Sequence, residues 1–281
     1  MSVVPLFSLN ILLCLLHTSF SFGQTGALLS GTAKGQQTYC VDFMRLGTQD
    51  DGTPAALELA ITRLSSDDGM TVDLLAVLHV ADTAFFRRID SAAAACEVVL
   101  FEMVATGSVP DTVRRNEDLF EDTPMRRSYK HLAALLGMMR QQEGIDYTRP
   151  TFVHADLSEQ EMNILLPGFT DSLPDYSNDR RMYALLENFP SGLPQEMRLS
   201  LRRVFADGLL KREDSADLMD RGVPLRNQRV LDVLREQRRI GKMHIGILYG
   251  VGHFPDLQER LSHEFGLKVT GRTWHEAWSV R

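Results

Sequence analysis

The stretch "VDLLAVLHVADTAFFRRIDSAAAACEVVLFEMV", residues 72–104, decides the fold class of this chain. Its apolar run up to His79 is typical of a buried strand, and the alanine-rich segment that follows favours a helix beginning at Asp82 or Thr83. The run "EVVLFEMV", residues 97–104, predicts a second strand that is rich in β-branched residues. A strand, a helix and a strand in this order are the signature of a parallel sheet.

The C-terminal region predicts a second unit of this kind, with a strand "MHIGILYG" at residues 243–250, a helix from about Pro255 to Phe265 and a strand "LKVTGRTW" at residues 267–274. The middle of the chain is more helical, and apolar residues spaced three and four apart predict one helix face that includes Met139. We therefore expect an α/β fold: a central mixed, largely parallel sheet flanked by helices, with a helical insertion in the middle.

The N-terminus predicts export. Residues 3–16, "VVPLFSLNILLCLL", form an apolar run that is too short and too interrupted for a comfortable membrane span, and small residues that suit cleavage follow it. An uncleaved membrane anchor is the alternative. We expect a signal peptide, a polar linker and a single domain over residues 1–23, 24–39 and 40–281. Loops that form a mobile lid or an insertion boundary are expected at residues 167–195.

Composition narrows the class of partner. The chain has 281 residues, of which 44% are hydrophobic and 24% charged, and these are values of an ordinary globular protein. A net charge of -7 argues against a nucleic-acid partner, because phosphate contacts need a basic face. Peptides and small molecules stay open as substrates. Cys40 and Cys96 either pair in an oxidising compartment, or Cys96 is a buried inert thiol; no Cys/His spacing predicts a structural zinc site.

Two short segments share a pattern: "LLAVLHVAD" at residues 74–82 and "LYGVGHFPD" at residues 248–256. In each, a histidine follows an apolar strand and precedes a helix start, so His79 and His253 should emerge at the carboxyl edge of the sheet, where open α/β sheets bind ligands. The positive end of a helix dipole disfavours a protonated imidazole. A neutral imidazole is what a metal ligand or a general base requires.

Two carboxylates are predicted at the same edge. Glu102 ends an otherwise apolar strand, and burying it without a partner would cost several kcal/mol. It therefore forms a salt bridge with an arginine, or it acts as a metal ligand or general base beside His79. Asp156 follows "PTFVH", residues 150–154, at another strand end. It joins the same site or, as the alternative, caps a helix.

Together these residues resemble the motifs of the TraB/GumN family, which includes the Tiki metalloproteases. The family pattern is a strand ending in GTxH, a strand carrying Glu, a late helix beginning with an Arg-Asn pair and a GxGH strand end followed by a helix. The chain matches this pattern with His79, Glu102, Arg226 with Asn227, and "GVGH" at residues 250–253. It departs from the pattern at Ala76 and Val77, where the family prefers Gly and Thr.

The resemblance implies an exported, metal-dependent hydrolase with peptide as the substrate class. His79 and His253 would hold a divalent ion, manganese or cobalt by the resemblance and zinc by ligand type. Glu102 would complete the ligand set or act as the base on bound water, and Arg226 and Asn227 would contact the substrate. The alternatives are a peptide- or haem-binding module of the same fold, and a metal-free, esterase-like enzyme in which the same histidines carry acid–base chemistry.

Overall fold

The fold is given by a computed structural model, which describes residues 42–105, 123–169, 187–189, 192–210 and 218–281, apart from the side chains of residues 124–125 and 218–220. The predicted signal peptide and linker, Cys40 and most of the predicted lid lie outside these residues.

The described part of the chain contains a seven-stranded sheet and a separate two-stranded ribbon. Six strands follow the order β1-β2-β3-β8-β5-β7, and β9 pairs with β2. The ribbon joins β4 and β6. The strands are β1 Met44–Thr48, β2 Pro54–Ser65, β3 Thr71–Val77, β4 Val80–Ala81, β5 Val98–Phe101, β6 Met139–Arg140, β7 Phe152–His154, β8 His244–Gly250 and β9 Lys268–Ser279.

Strand direction confirms the predicted mixed, largely parallel sheet. The pairs β3–β8, β8–β5 and β5–β7 are parallel. Strand β2 pairs antiparallel with β1, β3 and β9, so within the described sheet β2 alone runs against the others. The turn between β2 and β3 has a sequence of Ser, Asp and Gly residues, which favours a tight turn. Gly69 lies in it with φ of 90°, a conformation that glycine adopts without strain.

Helices flank the sheet and fill most of the described chain between β5 and β8. The predicted helix start at Asp82 is confirmed, because Asp82 is the N-cap of the first helix. The helices are α1 Thr83–Ala94, α2 Pro124–Leu136, α3 Gln141–Gly144, α4 Glu159–Leu165, α5 Gln195–Leu210, α6 Leu218–Arg239 and α7 Phe254–Phe265.

Two details differ from the sequence prediction. Met139 does not lie on a helix face: α2 ends at Leu136, because Gly137 adopts the left-handed conformation with φ of 61°, and Met139 begins β6. Strand β9 does not pair with β8, although the two run in the same direction. Both edges of β8 are already bonded to β3 and β5, so β9 crosses the sheet and pairs with β2 instead.

One hydrophobic cluster joins the sheet to the helices and reaches from Phe43 to Trp278. It contains Phe85 and Phe86 of α1 and Leu257 of α7, all with no exposed surface. This packing fixes the carboxyl ends of β5, β7 and β8 against the helices that follow them. Among the described residues, no helix is both long enough and apolar enough to cross a membrane.

Candidate functional site

Three of the predicted residues meet at the carboxyl edge of the sheet. Glu102 directly follows β5, Asp156 lies two residues beyond β7, and His253 ends the 3-10 turn Val251–His253 that follows β8. Strand β5 pairs with both β7 and β8, so the three strand ends are neighbours. Because parallel neighbours present their carboxyl ends at one edge, the convergence predicted from the sequence follows directly from the pairing.

Arg226, on α6, binds all three of these residues. Its Nε and Nη2 donate to the two carboxylate oxygens of Asp156, at 2.9 and 2.6 Å. Nη2 also donates to Glu102 Oε1 at 2.6 Å, and Nη1 donates to His253 Nε2 at 3.2 Å. The guanidinium is buried, and the two carboxylates raise its pKa well above the ordinary value despite the opposing effect of burial. Two carboxylates and one guanidinium give this buried network a net charge of -1.

The second oxygen of Glu102 is held by the backbone. The amide of Gly250, at the end of β8, donates to Glu102 Oε2 at 2.5 Å. A Cβ at position 250 would lie 3.1 Å from that oxygen, so a side chain here would press on the carboxylate. Burial alone would raise the pKa of Glu102, but the charge of Arg226, together with this hydrogen bond, holds it well below the usual range. Glu102 is therefore ionised near neutral pH.

Asn227 and Asp256 decide which nitrogen of His253 carries the proton. Asn227 Nδ2 donates to the carboxylate of Asp256 at 2.7 Å and to the backbone oxygen of His253 at 3.1 Å. This orientation turns Asn227 Oδ1 toward His253 Nδ1, at 2.6 Å, so Nδ1 must be the donor. The single lone pair of neutral His253 is then on Nε2, where it accepts the hydrogen bond from Arg226.

His253 is neutral at physiological pH. Burial is the main cause, and the nearby charge of Arg226 adds to it; together they outweigh the carboxylates and lower the pKa of His253 to about 4. The contact of His253 Nε2 with Glu102 Oε1, at 3.6 Å, is therefore not an ion pair. The predicted place of His253 at the sheet edge agrees with the structure; burial, rather than the helix dipole, is the main cause of its lowered pKa.

His79 lies apart from this hydrogen-bonded network. Strand β3 ends at Val77, two residues before it, and its backbone oxygen accepts a hydrogen bond from Gln141 N at 2.9 Å. Its ring lies against Tyr129, with 4.5 Å between the ring centroids. Desolvation by the surrounding protein lowers the pKa of His79, and the charge of Glu102 opposes that shift. By surface area the residue is exposed to solvent.

The predicted metal ligands do not fit a three-ligand site in this arrangement. Ligand atoms of His79, Glu102 and His253 are not among the described groups that all lie within 4.8 Å of one another. The lone pair of His253 is used by Arg226, a cation that repels a metal ion. Glu102 retains acceptor capacity, because a carboxylate accepts about four hydrogen bonds and these contacts use two.

Arg226 and Asn227 were predicted as substrate contacts, and the structure places both in the interior. Asn227 has no exposed surface, and Arg226 is 8% exposed. Their bonds to Glu102, Asp156 and His253 favour a positioning role. Arg226 also lies within α6 rather than at its start, because the helix begins at Leu218 and includes Pro224.

The sequence reasoning missed two partners. Asp256, which fixes Asn227, stands inside the segment "LYGVGHFPD", and its position one helical turn after His253 was a usable signal. Asp82 occupies the matching position in "LLAVLHVAD", but it pairs with Arg202 at 2.9 Å. The backbone amide of Gly250 left no signal of its own.

No protein-family model matches this chain, and the searches of curated proteins and of solved structures gave no significant match. The TraB/GumN resemblance therefore stays a prediction.

Proposed function

We propose that this chain is a hydrolase that acts on a peptide or a small ester or amide at the carboxyl edge of the sheet. The observation that supports it is the buried network of Glu102, Asp156 and Arg226 beside His253. Burying charged groups costs free energy that apolar residues in the same place would not cost. Buried charged networks are therefore common at functional sites, and this one lies at the sheet edge where ligands bind.

The proposed base is His79. It is exposed, so substrate and water can reach it, and its lowered pKa keeps the imidazole neutral and ready to accept a proton. His79 takes a proton from the attacking water and returns it to the leaving group as the carbonyl adduct collapses. The negative charge of Glu102 stabilises the imidazolium in between, since it raises the pKa of His79.

The remaining residues position Glu102. Arg226 keeps it ionised and fixes one oxygen, Gly250 fixes the other, and Asp156 holds Arg226. His253 uses its lone pair to complete the contacts of Arg226. In this scheme His79 and Glu102 face the reaction, and the buried residues keep the carboxylate in one place.

A metal-dependent hydrolase is the second candidate, and the network charge of -1 favours it, because a divalent ion or another cation would compensate that charge. Donor chemistry agrees, since imidazole and carboxylate suit manganese, cobalt and zinc. This form requires Arg226 to release His253 Nε2. For both candidates, the proposal includes that the protein is exported.

Cleavage assays with a peptide library and with simple aryl esters test the proposal on the purified full chain. We expect turnover by the wild type that falls at least about 100-fold in His79→Gln and Glu102→Gln. The control is His263→Gln, an exposed histidine on α7. Loss of turnover in this control together with the other two, or no turnover on any substrate, contradicts the proposal and leaves the binding-module alternative.

Metal analysis separates the two candidates. The metal-free mechanism predicts activity that is unchanged by chelator and restored by no added ion. Activity that is lost on chelation and restored by manganese, cobalt or zinc supports the second candidate, provided that His253→Ala abolishes both the bound ion and the restoration.

A further inference from the structure

A second group of chemically active side chains lies at the opposite, amino-terminal edge of the sheet. Asp73 is the third residue of β3, His244 is the first residue of β8, and Cys96 lies two residues before β5. Oxygen, nitrogen and sulfur atoms of these three residues all lie within 4.8 Å of one another. This set shares no residue with the proposed hydrolase site.

The contacts converge on one atom. His244 Nε2 is 2.9 Å from Asp73 Oδ2 and 3.8 Å from Cys96 Sγ. A Cys-His-Asp catalytic relay uses the two nitrogens of the imidazole separately, one for the nucleophile and one for the acid. Here a single nitrogen faces both partners, so the group is not such a relay. Three donor atoms that all lie within 4.8 Å of one another are instead close enough to share one cation.

The surrounding chain leaves room for the sulfur. Gly246 of β8 faces it, and a Cβ there would lie 3.0 Å from Cys96 Sγ. Burial raises the pKa of the Cys96 thiol to about 12, so the thiol is a poor nucleophile in the absence of an ion. Asp73 and Cys96 are buried, whereas the side chain of His244 is 28% exposed and gives a path from solvent.

We propose that Asp73, Cys96 and His244 bind a thiophilic divalent cation of the zinc class, with solvent completing the coordination. Thiolate, imidazole and carboxylate together are a ligand set for zinc or cobalt rather than for magnesium or calcium. Arg63 donates to both oxygens of Asp73, at 2.7 Å each, and orients the carboxylate as outer partners of metal ligands do. The ligands are far apart in sequence, so no spacing motif reveals the site. This inference is independent of the proposed function.

Cobalt is the probe, because a thiolate ligand gives it a charge-transfer band in the near ultraviolet. The full chain contains three cysteines, so Cys14→Ser and Cys40→Ser are introduced together to leave Cys96 as its one thiol. We expect this protein to bind one equivalent of cobalt with the band, and zinc to displace it. Removing a ligand, by Cys96→Ser or His244→Gln, should weaken cobalt binding at least as much as the loss of an outer partner of a metal ligand does, which is about 10–100-fold.

His253→Gln, in the same background, is the control at the other edge and should keep the band. No band, or a band that Cys96→Ser leaves in place, overturns the proposal. A measurement that needs no ligand variant covers the case in which Cys96→Ser fails to fold: X-ray absorption of the single-thiol protein with one equivalent of zinc. One sulfur neighbour at about 2.3 Å supports the site. A shell of nitrogen and oxygen alone overturns it, and then Asp73, His244 and Arg63 form a structural ion pair only.

Discussion

Asn227 holds His253 through two hydrogen bonds, one to the ring nitrogen Nδ1 at 2.6 Å and one to the backbone oxygen at 3.1 Å. Because Asp256 binds the same amide group of Asn227, the amide has one orientation, and His253 has one neutral tautomer. A residue with no exposed surface thus sets the tautomer of the neighbouring imidazole and leaves His253 Nε2 free to accept the hydrogen bond from Arg226.

Protonation of His253 should make stability depend on pH. Its pKa is about 4 in the folded chain and about 6.5 when unfolded, so the unfolded state binds more protons between these values. The contribution is present above pH 6.5 and is lost as pH falls toward 4, by at most about 3 kcal/mol. The slope of the unfolding free energy against pH, measured by urea unfolding between about pH 6.5 and 4.5, should be smaller in His253→Gln than in the wild type. His263→Gln should keep the wild-type slope; equal slopes in all three proteins would show that His253 does not titrate in this window.

Asp156→Asn should destabilise the chain by about 3–5 kcal/mol, because it leaves the buried Arg226 without its bidentate partner. The control is Asp207→Asn, which breaks the partly exposed pair with Arg203 and should change the free energy of unfolding by less than about 1 kcal/mol. Chemical denaturation measures both. Similar small losses in the two variants would mean that Arg226 finds another partner.

The two glycines of "GVGH" should respond differently to alanine. A Cβ at Gly250 would lie 3.1 Å from Glu102 Oε2, whereas a Cβ at Gly252 would meet no other atom within 4 Å. Displacement of a catalytic group costs roughly 100-fold in rate. Gly250→Ala should therefore lose turnover on whichever substrate the wild type cleaves, and Gly252→Ala should retain it. Equal turnover by the two variants would show that Glu102 takes no part in the reaction.

Gly246→Ala tests the space beside Cys96. The new methyl group would crowd Cys96 Sγ at 3.0 Å, and overpacking of this kind costs about 1–3 kcal/mol. In a Cys96→Ala background the cost should shrink, giving a coupling of at least about 0.5 kcal/mol in urea unfolding. Gly271→Ala, on β9, meets no atom within 4 Å and should show neither effect. A cost that Cys96→Ala does not reduce would place the clash elsewhere.

Much of the fold could be predicted from local sequence. The β2–β3 hairpin, α1 and β5 follow from apolar periodicity, a Gly-containing turn and an Asp N-cap, all of which act between near neighbours in the chain. The meeting of Glu102, Asp156 and His253 was predictable as well, because parallel strands share a carboxyl edge. Met139 was mispredicted because the left-handed Gly137 ended its helix earlier than the apolar spacing indicated.

The sequence by itself determined the strands β3, β5, β7, β8 and β9, the helices α1 and α7, and which polar residues reach the carboxyl edge. Only the tertiary structure decided the partners: Arg226 between Glu102 and Asp156, Asp256 behind Asn227, His79 outside the network, and Cys96 beside His244. The physical reason is range. Helix and strand formation depends on neighbours along the chain, whereas an ion pair or a ligand set depends on distances of a few ångströms between residues that packing alone brings together.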